Sequence, residues 1–478
     1  MFKLDKKEIY FLLFLIIATL FLRFYHIENG ELIGDEKRAL KIHDAMISSA
    51  QNFLIIPMYD KWITEPVLLE RTRIHLNYGV LSIATPLAWY IKSFLMFFSG
   101  ANKFGVRFST AIFGALYVIL FYLFSRRIYN KKISMLSSLL LAFFPFSIVN
   151  ARNGAIFEPI TLSFFIGSLF FLPSLKNSTY GRLIWGVISA LMLFSNFYKA
   201  IILLSILFIW EFILIFHKNK KIVRETVKLG FYYALLFIPS IAWAFLRAYS
   251  LDIPLFWLFQ FPFVRGATSS FRIIEIFWSY GAIKQAATLL IPALIGLFLF
   301  LSYLKKKNFQ LKEPTTKINL LWALMMLIIP LQLFFARQGG AYNHSLIAIP
   351  IVVFTVYALH SAHSSLKKNN INLALFLIFT SWIFVILSYN MGSLINEVPK
   401  TDILAFPLYK ETFFSILKIP TFIIPLILVT TFSFFMLLAR KNKYLCARIK
   451  KTILPYTLIT SILSFIFYAT FIVIFNKI

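Results

Sequence analysis

Asp35 and Glu36 stand side by side in ENGELIGDEKRAL (28–40), just past the first apolar run of the chain. A carboxylate beside an acceptor hydroxyl can act as a general base, and a pair of carboxylates can instead hold a divalent cation. NARNGAIFEP (150–159) adds Arg152, suited to an anionic group, and Glu158, a second acid that could face the first pair across a cleft. In SNFYKA (195–200), Lys199 offers a point charge of the kind that binds phosphate. RQGGAYNHSLIAIP (337–350) places Arg337, Tyr342 and His344 around a Gly-Gly turn that lets backbone approach a ligand closely, and RIHLNYG (73–79) adds His75 and Tyr78. Each group also has an ordinary use. Asp35 is a natural N-cap after Gly34, Arg152 and Glu158 can form an anchoring ion pair, and Lys199 can snorkel to a membrane surface. The choice depends on which of them face the same side of a membrane.

That a membrane is involved follows from composition. The chain of 478 residues is 60% hydrophobic and 18% aromatic, with 56 Phe and a mean hydropathy of +0.79. One soluble core could not hide that much apolar surface. Apolar runs long enough to cross a ~30 Å hydrocarbon layer as helices recur along the whole length, so the fold class is all-α, polytopic and membrane-spanning. Long runs of this kind are the opposite of a β-barrel signature. The net charge of +29 fits Lys/Arg kept in cytoplasmic loops rather than nucleic-acid binding, because no basic stretch outside the spans is interleaved with aromatics. Cys446, the single cysteine, excludes an intramolecular disulfide and a cysteine-based zinc site. Lys3, Lys6 and Lys7 precede the first apolar run, which lacks a small-residue cleavage site and reads as an uncleaved first span.

About thirteen spans are expected, at 9–25, 106–125, 133–149, 159–175, 183–198, 200–216, 229–247, 285–303, 318–336, 345–360, 372–390, 420–438 and 453–475. The stretch 78–98 decides the topology. If it crossed, RRIYNKK (126–132), HKNKKIVRETVK (217–228), KKKNFQLKEPTTK (305–317) and RKNKYLCARIKK (440–451) would face away from the N-terminal lysines. If it lies along the surface, all share the cytoplasmic side, as the positive-inside bias favours. Pro86, Lys92 and scattered Ser/Thr agree with an interfacial amphipathic helix. The long segment 26–105 is then extracytoplasmic, together with Glu158, Arg152, Lys199 and the loop at 337–344. Almost no ionisable residue falls at mid-span, which weighs against an ion-coupled pump.

In order along the chain, FLRFYHI is followed by GDEKRAL, HLNYGVLSIATPLAWYI, FGVRFSTAIFGALYVILFYLFSRRIYNKK, SLLLAFFPFSIVNARNGAIFEP, SNFYKA and AYNHSLIAIP. This series, over about residues 9–350, resembles the GT-C membrane glycosyltransferases. It looks most like the branch containing the protein O-mannosyltransferases and the lipid A aminoarabinose transferases. The resemblance implies inverting transfer of a sugar from a polyprenyl-phosphate-linked donor, without a nucleotide sugar. It matches Asp35, with Glu36 beside it, to the acid of the first outer loop that serves as base or binds the acceptor. Glu158 matches the acid of the second outer loop, and Arg152 the arginine that often precedes it. Lys199 matches a lysine associated with the lipid phosphate. His344 falls where the late outer motif usually has an aromatic or basic residue. The chain departs from the family at His75-Leu76-Asn77, where His-Pro-Pro is usual, and at Glu158, where many members have Asp.

The expected protein is therefore a multi-pass glycosyltransferase of the plasma (inner) membrane with its site on the extracytoplasmic side. Asp35, Glu36 and Glu158 are the expected catalytic acids. Arg152, Lys199, His75, Tyr78, Arg337, Tyr342 and His344 are expected to bind lipid phosphate or substrate. Partners are a polyprenyl-phosphate sugar donor, a glycan, lipid or protein acceptor and membrane lipids. No ligand cluster identifies a cofactor, and a divalent cation stays open. Residues 1–360 form the expected catalytic module, and 361–478 supply further helices of unassigned role. A lipid-linked glycan flippase is the rival; it would want charges along its spans, which the sequence lacks. Another integral transferase would want an embedded His with a polar partner or a large late outer loop.

Overall fold

The computed structural model describes residues 4–28, 31–32, 34–48, 86–154, 157–172, 179–218, 222–250, 282–335 and 346–367. The chain divides into two compact units. The first comprises Met1–Ala142, Phe146–Ile276 and Gln310–Ile349, and the second Phe143–Pro145, Phe277–Phe309 and Pro350–Ile478. The protein is a polytopic helical membrane protein. Four stretches of the described helices, Lys103–Ile128, Lys199–His217, Ile222–Trp243 and Leu289–Lys306, are long and apolar enough to cross a bilayer by length and composition.

In the first unit, α1 (Lys6–Phe24) starts from a capping box in which Asp5 accepts from the Glu8 amide and Glu8 accepts from that of Asp5. α2 (Gly34–Ser48) and α3 (Pro86–Ser99) follow, and α3 stops at Gly100, whose φ of +92° suits glycine. Asn102 caps α4 (Lys103–Ile128) by accepting from the Gly105 amide at 2.9 Å.

α1 and α4 are antiparallel neighbours. At one end Arg126 pairs with Glu8 and Lys131 with Asp5. At the other, Phe24 packs on Phe104 and Phe108, and Arg107 donates to the Ile27 carbonyl at 2.8 Å. The chain between them thus leaves and returns at the same end of the bundle. α3 lies along that end: Trp89 meets Phe157 at 4.9 Å, and Ser99 and Gly100 abut the start of α4. Over its described part, 86–99, this agrees with the expected surface helix that does not reverse the topology; residues 78–85 lie outside the described residues.

α5 (Lys131–Phe143) and α6 (Pro145–Arg152) run back toward the end that carries Arg107. The sequence reading took 133–149 as one span; the structure breaks it at Phe144. Pro145 lacks an amide hydrogen and its ring crowds the preceding turn, so an uninterrupted helix is disfavoured there. Arg23, fully buried, bridges the break by donating to the Ala142 carbonyl at 3.5 Å and to Ser147 Oγ at 2.9 Å. Tyr117 shares that serine.

α7 (Glu158–Leu169), α8 (Thr179–Ser195), α9 (Phe197–Lys218) and α10 (Ile222–Ser250) continue the alternation. Arg127 donates to the Phe170 carbonyl at 2.7 Å, which puts the C-terminal side of α7 at the Glu8–Arg126 end. At that same end Tyr129 donates to Asn319 at 2.6 Å, which locates the start of α12 (Pro314–Phe335). In the second unit, α11 (Ala282–Lys306) packs on α13 (Ala348–Lys367), where Thr355 donates to the Leu289 carbonyl at 3.1 Å and Phe300 meets Phe354. Gly296 makes this approach possible, because a Cβ there would collide with the Phe354 carbonyl. The expected spans at 372–390, 420–438 and 453–475 lie outside the described residues.

The antiparallel pairing of α1 and α4 predicts a labelling pattern. With Cys446 replaced by Ser, cysteines at Glu28 and Lys103 should react with a membrane-impermeant maleimide from one face of sealed vesicles, and a cysteine at Lys131 from the other. Reaction of Glu28→Cys and Lys103→Cys from opposite faces would mean that the intervening segment crosses.

Candidate functional site

Glu36, in the first turn of α2, is 1% exposed and held from three sides. Arg107 grips it with both arms of its fork, Nε to Oε1 at 2.8 Å and Nη2 to Oε2 at 2.9 Å. The Gly154 amide donates to Oε1 at 2.9 Å. Arg107 also donates to the Ile27 carbonyl at 2.8 Å and the Glu31 carbonyl at 3.1 Å. A bidentate, buried, charge-assisted pair of this kind fixes direction as well as distance. It ties α2, α4, the chain after α1 and the turn after α6 into one assembly. The turn needs glycine: a Cβ at Gly154 would lie 2.5 Å from Val106 Cγ1 and 2.9 Å from the Val106 carbonyl oxygen.

α2 is thereby pressed onto α3. Ala39, Ile42 and Met46 pack with Trp89, Met96 and Val106 in one apolar cluster. A single polar contact sits within this sandwich, His43 Nδ1 to Ser93 Oγ at 2.6 Å, among the described residues of the two helices. Burial lowers the His43 pKa, and Asp44 opposes the shift.

Glu158 opens α7, where the positive end of the helix dipole favours a carboxylate. Its Oε1 lies 3.6 Å from Lys199 Nζ, which stands at the start of α9. Both are buried, at 5% and 6% exposure. The residue before Glu158, Phe157, packs on Trp89 and carries the Lys92 ammonium 5.0 Å above its ring. Lys92, on α3, is itself buried.

Arg152 ends α6. Its Nη2 donates to the His26 carbonyl at 3.0 Å. His26 directs that carbonyl from a left-handed conformation (φ 51°) just after α1, a conformation costly for a non-glycine residue. Arg152 Nη1 is buried and meets no acceptor among the described residues. Burial, and secondarily the charge of Arg107, lowers the Arg152 guanidinium pKa to about 10.

The structure thus gathers Glu36, Arg152, Glu158 and Lys199 at one end of the first unit. Asp35 occupies the first turn of α2, but its side chain lies outside the described residues, as do His75, Tyr78, Arg337, Tyr342 and His344. Two partners were not singled out from sequence, Arg107 and Gly154. Arg107 left a signal: a cation at the end of a span opposite the basic loops runs against the positive-inside bias. Among the described residues no three His, Cys, Asp or Glu side chains come together to hold a metal.

The clamp predicts a stability effect. Glu36→Gln leaves Arg107 buried without its counter-charge and should cost about 3–5 kcal/mol, read as a lowered melting temperature of the purified protein. Gly154→Ala should cost about 1–3 kcal/mol by overpacking against Val106. Unchanged melting in both variants would remove the clamp from the account.

Residues 84–243 match the family model described as dolichyl-phosphate-mannose-protein mannosyltransferase, a range that contains Arg107, Arg152, Gly154, Glu158 and Lys199. No curated protein matches the sequence. Among solved structures, ArnT from Cupriavidus metallidurans in the apo state superposes with a TM-score of 0.56 at 12% identity, over 98% of this chain and 76% of that one. The same protein bound to undecaprenyl phosphate gives 0.54 at 13% identity, over 98% and 77%. A third of the chain thus matches the mannosyltransferase family model, and the whole chain shares the polytopic helical fold of ArnT.

Proposed function

We propose that this protein transfers a sugar, with inversion, from a polyprenyl-phosphate-linked donor to an acceptor hydroxyl at the extracytoplasmic face of the plasma membrane. The observation that carries the reading is the buried Lys199–Glu158 pair, set at the same end of the bundle as the clamped acidic turn of α2. ArnT, which shares the fold, has been captured with undecaprenyl phosphate, and this supports a lipid-phosphate donor.

Inverting transfer forms a bond from the acceptor oxygen to the anomeric carbon while the bond to the lipid phosphate breaks. The acceptor proton goes to a base, and the electron pair leaves with the phosphate. Asp35 is the base in this reading. Its neighbour Glu36 is fully engaged with Arg107 and Gly154, and so holds the turn rather than taking a proton. Lys199 supplies positive charge to the departing phosphate. Glu158 keeps that ammonium in place and charged in a buried setting, since an unpaired lysine there would tend to neutralise. Because the pair lies at 3.6 Å, an arriving phosphate can share Lys199 without the lysine leaving its place. His75, Tyr78, Arg337, Tyr342 and His344 bind lipid phosphate or substrate in this reading. The acceptor is a lipid, a glycan or a protein.

The test is sugar release from undecaprenyl-phosphate-linked donors by purified, folded variants. Asp35→Asn should slow turnover by about 10²–10⁴-fold with donor binding retained, the range for loss of a general base. Lys199→Gln should weaken binding of undecaprenyl phosphate itself. Full turnover by both Asp35→Asn and Glu158→Gln would overturn the assignment of the acids. Transport of the lipid-linked glycan without sugar chemistry would favour a flippase.

A further inference from the structure

A helix that lies along a membrane surface ordinarily turns its charged side chains to water and its apolar side chains to lipid. α3 is built the other way round. Its one charged residue, Lys92, and the neighbouring Ser93 are buried against the protein. The Lys92 ammonium lies 5.0 Å from the centre of the Phe157 ring and 5.8 Å from that of Trp89, and Ser93 meets His43. The outward side carries aromatic and aliphatic groups instead. Phe94, Phe97 and Phe98 are 63%, 72% and 70% exposed, and Tyr90, Ile91 and Leu95 are half-buried beside them. Ser99, at the end of the helix, turns its hydroxyl back to the Leu95 carbonyl at 2.8 Å. The three phenylalanine rings meet edge to face, Phe94 on Phe98 at 5.0 Å and Phe97 on Phe98 at 5.4 Å, so they form one continuous patch.

α2, packed on α3, presents the opposite kind of surface. Its exposed side chains are Lys37, Lys41, Asp44 and Ser48, with Ile47 the single large apolar one among the described residues. Two stacked helices at one end of the bundle therefore face outward with charge on one and aromatic rings on the other. A contiguous aromatic patch is unfavourable against water, and a row of charges is unfavourable against hydrocarbon. At the same end the spanning helices also turn apolar side chains outward, Phe21 of α1 and Leu246 of α10, and α10 reaches α3 through Trp243 on Tyr90. The patch on α3 adds to that lipid-facing surface.

We infer that the face of α3 formed by Phe94, Phe97 and Phe98 is a lipid-contact surface, sunk into the acyl-chain boundary of the leaflet at the site end, and that the boundary between lipid and water passes between α3 and α2. The occupant of the face is the hydrocarbon of bilayer lipids, because the helix has withdrawn its one charge from that side. Phe157 packs against the inner side of α3 through Trp89, so the first turn of α7, which carries Glu158, stands at headgroup depth. The first turn of α2 lies on the water side. α3 is thus a partition, with lipid against its aromatic rings and the polar residues of the candidate site behind it.

The test uses the full chain with Cys446 replaced by Ser, reconstituted in phosphatidylcholine vesicles. Phe94→Cys, Phe97→Cys and, on α2, Lys37→Cys are each labelled with an environment-sensitive fluorophore. Quenching is read with phospholipids that carry a nitroxide near the top of the acyl chain, and with iodide present on both sides of the membrane. At Phe94→Cys and Phe97→Cys the emission should be blue-shifted, and the nitroxide lipid should quench several-fold more strongly than at Lys37→Cys; iodide should show the reverse order. If the phenylalanine variants do not fold, the wild-type protein decides: a photoactivated diazirine phospholipid should leave adducts within residues 94–98 and none within 37–48. Iodide quenching at the phenylalanine positions equal to that at Lys37→Cys would put the face in water. Protection from both quenchers would mean that protein covers it, another part of this chain or a second copy. Either result, or the absence of lipid adducts at 94–98, would overturn the inference.

Discussion

One ion pair organises the functional end of this molecule. The Glu36 carboxylate and the Arg107 guanidinium meet in a bidentate geometry, out of water, with a backbone amide and two backbone carbonyls completing their hydrogen bonds. Such a pair is costly to assemble and far more costly to leave half-made, so its worth lies mainly in specifying one arrangement. Here that arrangement joins elements remote in sequence: the chain leaving α1, the first turn of α2, the start of α4 and the turn after α6. Without it, α2 would rest on its apolar contacts with α3 and Val106 and on the His43–Ser93 contact, which fix its direction less tightly than a forked ion pair.

The two adjacent acids of α2 are not held alike. Glu36 points into the protein and is consumed. The residue before it on the helix is placed by that anchoring, and whatever Asp35 does, it does from a fixed backbone. The same economy recurs at Glu158 and Lys199, where burial would penalise either charge alone and the two together are tolerable. Arg152 and Arg23 differ from these pairs: each has neutral partners and one buried donor without an acceptor among the described residues.

Much of this was legible from the residues in order. The long apolar runs gave the helical membrane class. The asymmetry of basic loops requires 78–98 to leave the topology unchanged, and its described part, α3 along one end of the bundle, agrees. Glu158 and Lys199 stood out because polar residues in tight turns between apolar runs need a reason. What sequence could not supply was pairing across distance. Nothing in the spacing joins Glu36 to Arg107, 71 positions apart, and nothing in GDEKRAL shows that Glu36 is spent on an ion pair. The break inside 133–149 was signalled by Pro145, but the strong apolar character on both sides masked it. Gly154 carries no sequence mark at all; only the proximity of Val106 explains it.

The most direct test of the central claim is a double-mutant cycle on Glu36 and Arg107, read by the unfolding free energy of the purified protein. If the pair is the organising contact, the double Gln variant should be more stable than additive losses allow, with a coupling energy of about 1–3 kcal/mol. Each single variant would leave its partner's charge buried and unmatched, and removing both would relieve it. Strictly additive losses would show that Glu36 and Arg107 act independently, and the clamp would then not be what holds the site together.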